Sequence, residues 1–110
     1  MASEITPEGV TVISVHGYLD DDTSPALSEA LTAAASDNGC SRTVLDLSMV
    51  KFADSSALHT LLAGQETHET TGTVMILAGP LQAAVNRLFE VTSTGPVFRW
   101  ADTVQQGMTC

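Results

Sequence analysis

A chain of 110 residues has the length of one domain with its own core, and 44% apolar residues is a globular rather than a disordered composition. Thirteen acidic residues against Arg42, Lys51, Arg87 and Arg99 leave a net charge of −9, which repels phosphate backbones and anionic lipid. Nucleic acid and membrane are therefore poor partners, while a basic protein is steered towards such a surface, unless the acidity serves solubility alone.

Residues 3–9 hold Ile5 and the turn-like Pro7-Glu8-Gly9, which read as a short edge strand and a hairpin. Val10 to Leu19 is rich in β-branched residues and reads as a strand, with Val10, Val12 and Ser14 on one face and Thr11, Ile13 and Val15 on the other. In the loop Asp20-Asp21-Asp22-Thr23-Ser24-Pro25, Thr23 or Ser24 is placed to cap a helix with Pro25 at its first position. That helix runs to about Ser36 with Leu27, Ala30, Leu31 and Ala34 inward, and Asn38-Gly39 stops it.

Val44 to Leu47 is short and apolar enough for a buried strand. The chain then turns through Asp54-Ser55-Ser56 into a helix from about Ser55 to Thr70, with Leu58, Leu61 and Leu62 on one stripe. Its second half, Gln65 to Thr71, is polar and is expected to fray or lie exposed before Gly72 ends it. Thr73 to Ala78 reads as another buried strand, and Gly79-Pro80 breaks it and starts a third helix. In that helix Leu81, Ala84, Val85, Leu88 and Phe89 form an apolar stripe. Thr94-Gly95-Pro96 ends it, Val97 to Trp100 is a last short strand, and Ala101 to Met108 forms a terminal helical turn or two.

The order β-β-α-β-α-β-α-β-α predicts one α/β domain over residues 1–110, a mostly parallel mixed sheet of about five strands packed by about four helices. Chemistry on such sheets gathers at the C-terminal strand ends. The Asp20–Asp22 loop and the Asp54-Ser55 loop both leave strands there, so they should share one edge of the domain.

The Asp54-Ser55-Ser56 turn has two readings. Asp and Ser satisfy orphan N–H groups at helix starts, so it can be a plain cap. It also sets a serine hydroxyl at the positive end of a helix, where a phosphate can be attached. Other chemistry finds little footing. No Gly-x-Ser-x-Gly elbow exists, and His16, His59 and His68 have no evident link to Ser55. The histidines are scattered without metal-ligand spacing, and no Gly-rich phosphate loop is present. No catalytic residue, metal or cofactor is expected, and Asp46 alone within an apolar strand is weak evidence of a site. Cys40 and Cys110 have no paired spacing, which fits a reducing compartment. Met1-Ala2-Ser3-Glu4-Ile5 lacks the regions of a signal peptide, and no apolar run approaches the roughly 18 residues of a membrane span. A free-standing cytoplasmic protein is expected.

Val44 to Leu58, read Val-Leu-Asp-Leu-Ser-Met-Val-Lys-Phe-Ala-Asp-Ser-Ser-Ala-Leu, resembles the signature of STAS domains, specifically bacterial anti-sigma factor antagonists. Gly17-Tyr18-Leu19-Asp20 resembles that family's Gly-x-hydrophobic-Asp at the end of the second strand, and the likeness spans essentially the whole chain. The resemblance implies a STAS-like fold and a switch. The unphosphorylated protein binds an anti-sigma factor that is also a serine kinase, freeing the sigma factor. The kinase phosphorylates the serine after the aspartate, here Ser55, which dissociates the complex, and a metal-dependent serine phosphatase reverses it. Whether Ser56 is a second acceptor stays open. Ala57 stands where the family usually has glycine, so a changed fit at the partner surface is expected. That surface is expected to comprise Asp20, Asp21, Asp22, Asp54, Ser56, Ala57 and His59, and weak pairing into a homodimer is allowed. The alternatives are a scaffold or stressosome-like STAS subunit, and a small-ligand or lipid-pathway STAS module.

Overall fold

Alternating β-branched strands and leucine-striped helices assemble in the order of the sequence. The computed structural model describes residues 2–6, 9–36 and 42–109. Its elements are β1 (Ala2–Ile5), β2 (Val10–Leu19), α1 (Ser24–Ser36), β3 (Arg42–Ala53), α2 (Ser55–Thr71), β4 (Val74–Ala78) and α3 (Ala83–Thr92). A 3-10 turn at Gly95–Val97, β5 (Arg99–Ala101) and α4 (Val104–Thr109) complete the chain. The five strands form one sheet in chain order, β1 antiparallel to β2 and the rest parallel.

Successive right-handed crossovers in one direction put α1, α2 and α3 on the same face of the sheet. There Ile13, Leu45, Leu47 and Leu77 pack with Leu27 and Leu31 of α1, Leu61 of α2 and Phe89 of α3. Each large side chain so buried contributes about 1.5–3 kcal/mol. Gly64 lets α1 and α2 approach, since a Cβ on it would lie 2.7 Å from Leu31 Cδ1. The other face is covered over part of its length: Val104 and Met108 of α4 pack on Val10, Val12, Val44 and Ala78. No helix among the described residues is long and apolar enough to cross a membrane.

Four expectations need correction. The strand expected at Val44 to Leu47 is not short: β3 runs from Arg42 to Ala53. It passes the last β4 partner, the Asp46–Ala78 pair, and stays paired with β2 as far as Leu19–Ala53. Register shifts between Ser14 and His16 and between Gly17 and Tyr18 interrupt its period-two pattern, and Gly17 takes φ 77° beside them. The polar half of α2 neither frays nor lies fully exposed, because Gln65 and His68 are buried. His68 Nδ1–H donates to the Gly64 carbonyl at 2.7 Å, and Nε2 accepts from the Thr43 hydroxyl at 2.9 Å, tying the helix to β3. The third helix starts at Ala83 rather than at Pro80, with Ala84 exposed on it. The last strand is Arg99–Ala101, because Val97 belongs to the 3-10 turn. Pro7, Glu8, Asn38, Gly39, Cys40 and Cys110, which carried expectations, lie outside the described residues.

Candidate functional site

Two loops meet where β2 and β3 end. The Asp54 N–H donates to the Leu19 carbonyl at 3.1 Å, so the start of α2 is stitched to the last residue of β2. Asp20 opens the first loop and spends its side chain on it: Oδ1 accepts from the Asp22 N–H at 3.0 Å and the Thr23 N–H at 3.2 Å. The Thr23 hydroxyl accepts from the Asp20 N–H at 2.9 Å, and the Ser24 N–H donates to the Asp20 carbonyl at 2.9 Å. Asp20 therefore shapes the loop more than it offers a free carboxylate. Asp21 and Asp22 are exposed.

Asp54 is the cap of α2. It sits in extended conformation, its Oδ1 accepts from the Ala57 N–H at 3.1 Å, and its carbonyl accepts from the Leu58 N–H at 3.1 Å. The plain-cap reading is thus correct for Asp54, and it leaves the serines unassigned. They differ sharply. Ser55 is exposed, and among the described residues its hydroxyl makes no hydrogen bond. The half-buried Ser56 hydroxyl donates to the Asp21 carboxylate, a bridge between the two loops.

Asp21, Ser24, Pro25, Ser55, Ser56 and His59 line an open groove of about 470 Å³ between the starts of α1 and α2. His59 faces it one turn along α2 and is exposed. Ala57 does not belong to the accessible surface: it is 0% exposed and packs in the core beneath the groove. A partner cannot touch its side chain, which corrects the expectation for that position. Ser24 was missed by sequence reasoning; its side chain is buried and its Oγ has no hydrogen-bond partner among the described residues. Its place as a helix-starting serine before Pro25 gave no sign that it would line the groove. Asp46, half-buried on the α4 side of the sheet, accepts from the Ser48 hydroxyl at 2.7 Å and its N–H at 3.0 Å, a local turn contact. Among the described residues no cluster of three or more His, Cys, Asp or Glu side chains could hold a metal ion.

The site couples an exposed serine at a helix start to two acidic loops. Of the first N–H groups of α2, Asp54 takes those of Ala57 and Leu58, leaving the positive end of the helix beside the Ser55 hydroxyl. That arrangement can hold a phosphoryl group on Ser55 without rebuilding the helix.

The family model described as "Mlab, STAS domain" matches residues 3–96. An anti-sigma factor antagonist from Mycobacterium paratuberculosis is 30% identical with a TM-score of 0.84, and the match covers 98% of this chain and 89% of that one. Two structures at lower identity share the fold. SpoIIAA in its unphosphorylated form is 18% identical, with a TM-score of 0.75 over 98% of this chain and 93% of its own. The Bacillus protein SpoIIAA in its phosphorylated form is 19% identical, with a TM-score of 0.69 over 91% and 89%. With its five-stranded mixed sheet, its capped serine turn and these matches, the chain belongs to the STAS-domain family, and over almost its whole length it is similar to anti-sigma factor antagonists.

Proposed function

We propose that the chain is an anti-sigma factor antagonist whose unphosphorylated form binds an anti-sigma factor with serine kinase activity, so releasing the sigma factor, and that phosphorylation of Ser55 switches it off. The observation that carries this reading is the contrast at the start of α2: Ser55 is exposed with an unbonded hydroxyl, while the Ser56 hydroxyl is held by Asp21. In the transfer, Ser55 Oγ forms a bond to the γ-phosphorus of ATP, the bond to ADP breaks, and the hydroxyl proton is released. SpoIIAA, which shares the fold, has been solved in both phosphorylation states, which supports a phosphorylation switch on this scaffold. Asp21, Asp22, Asp54, Ser56 and His59 form the partner surface around Ser55, with Asp20 shaping its loop. A serine phosphatase resets the switch.

Incubation with anti-sigma factor kinases and ATP, followed by phosphosite mapping, tests the assignment. A single phosphate on Ser55, absent from Ser55→Ala, is expected. Phosphate on Ser56 in the wild-type protein, or no transfer from any kinase that the protein binds, would overturn it. A small-ligand reading has one observation in its favour, a groove of about 460 Å³ beside Trp100 lined by Leu81, Phe89 and Pro96. On that reading Ser55→Ala would leave partner behaviour unchanged, so the same variant separates the two.

A further inference from the structure

The second face of the sheet is covered over only half its length. Near the start of β2 and β3 it carries Val12 and Val44 under Val104 and Met108 of α4. Farther along, past Ser14 and Asp46, the same face presents the register pairs His16–Met49 and Tyr18–Phe52. No helix of the described chain covers them: Tyr18 is 60%, Met49 55% and Phe52 46% exposed. The Tyr18 and Phe52 rings meet edge to face at 6.4 Å, a preformed aromatic pair. A parallel sheet normally has both faces covered, so a bare stretch with two aromatics and a methionine is unusual.

We propose that this bare half-face docks a basic, amphipathic segment of a protein partner, with Tyr18, Met49 and Phe52 as its anchors. Charge selects the occupant. Tyr18 lies two residues before Asp20-Asp21-Asp22, Phe52 lies two residues before Asp54, and Asp46 lies on the same face. Lys51 is the one basic side chain on this stretch of β3, and the chain as a whole carries −9. A segment with Lys or Arg flanking an apolar stripe complements an apolar centre that has Asp46 on its own face, acidic loops at one end and a net charge of −9 behind it. A second copy of the chain fits poorly. It brings another −9, so like charge opposes its approach. An anionic membrane is repelled for the same reason. The three anchors lie across the sheet from α2, so the proposal does not rest on phosphorylation of Ser55.

The test titrates the isotopically labelled protein with a synthetic Leu/Lys amphipathic helical peptide, with a Leu/Glu peptide of the same pattern as control. Amide shifts should gather at residues 16–19 and 49–52 with the Leu/Lys peptide, weaken with salt, and be absent with Leu/Glu. The Tyr18→Ser/Phe52→Ser variant, altered only at exposed positions, should bind about tenfold or more weakly. Val91→Ser and Val97→Ser, which remove exposed apolar side chains elsewhere, should bind like wild type. Shifts scattered over other acidic surfaces, or an undiminished affinity in the folded double variant, would overturn the proposal. So would sedimentation showing a dimer of the free protein that the double variant abolishes, because the occupant would then be a second copy.

Discussion

Two serines stand side by side at the start of α2, and the carboxylate that reaches one leaves the other free. If Asp21 is what holds Ser56 back, Asp21→Ala should release its hydroxyl, and kinase labelling should then divide between Ser55 and Ser56. Labelling confined to Ser55 in that variant would mean that the kinase, not the bridge, chooses the serine. Asp54→Ala should cost about 1 kcal/mol in a denaturant melt, because the Ala57 N–H loses its acceptor. His68 gives a different readout. Burial lowers its pKa, partly opposed by its hydrogen bond to the Gly64 carbonyl. The unfolded chain, with a histidine pKa of about 6.5, therefore binds more protons below that pH than the folded one does. Stability is complete above the unfolded value and falls as pH drops from it towards the lowered one. Thermal melts should decline as pH falls below about 6.5, less steeply in His68→Gln, and an equal slope in both proteins would remove His68 as the cause. Asp54 as the cap, and Ser55 as the first residue of the helix it opens, were legible from the sequence because cap chemistry is local. The Asp21–Ser56 bridge and the His68–Thr43 bond were not, since each joins residues far apart in the chain.

Elements differ in how openly the sequence announces them. β2 spans the residues that β-branching marked, and α2 starts where Asp54 caps it. The length of β3 was hidden because Ser48 and Lys51 break its alternation where the register shifts, which disguises a strand as a loop. Met49 and Phe52 were overlooked for the same reason. The polar half of α2 misled in another way: Gln65 and His68 are buried, His68 against Thr43 of β3, and helical periodicity carries no record of a partner on another strand. The inner face of that half sets a second expectation. Gly64→Ala would drive a Cβ against Leu31 Cδ1 in a packed α1–α2 contact, costing about 1–3 kcal/mol of overpacking, less the gain of about 1 kcal/mol for alanine over glycine within a helix. A melt unchanged within error would mean that Leu31 moves aside freely.

At the scale of the whole molecule, charge bears directly on the proposed switch. With −9 overall and the exposed Asp21 and Asp22 at the proposed partner edge, association with a basic partner should slow severalfold as salt shortens the screening length towards about 8 Å. Asp21→Asn/Asp22→Asn should lower the association rate and flatten that salt dependence; no change in either would move the steering elsewhere. Phosphorylation adds about −1.5 to −2 charge at neutral pH. The start of α2 favours it by about 0.3–1 kcal/mol, while Asp54, Asp21 and Asp22 repel it through water and salt. Within the free domain these roughly offset. At a closed interface the phosphate must lose water against a surface shaped for a hydroxyl, and unpaired buried charge is expensive. The most direct measurement compares the two phosphorylation states side by side, by thermal melt, amide spectrum and affinity for the anti-sigma factor kinase. The switch predicts a large loss of affinity on phosphorylation, with little change in melting temperature and amide shifts confined to residues 20–22 and 54–62. Equal affinities for the two states, or a large melting shift with a spectrum rearranged far from those residues, would contradict it.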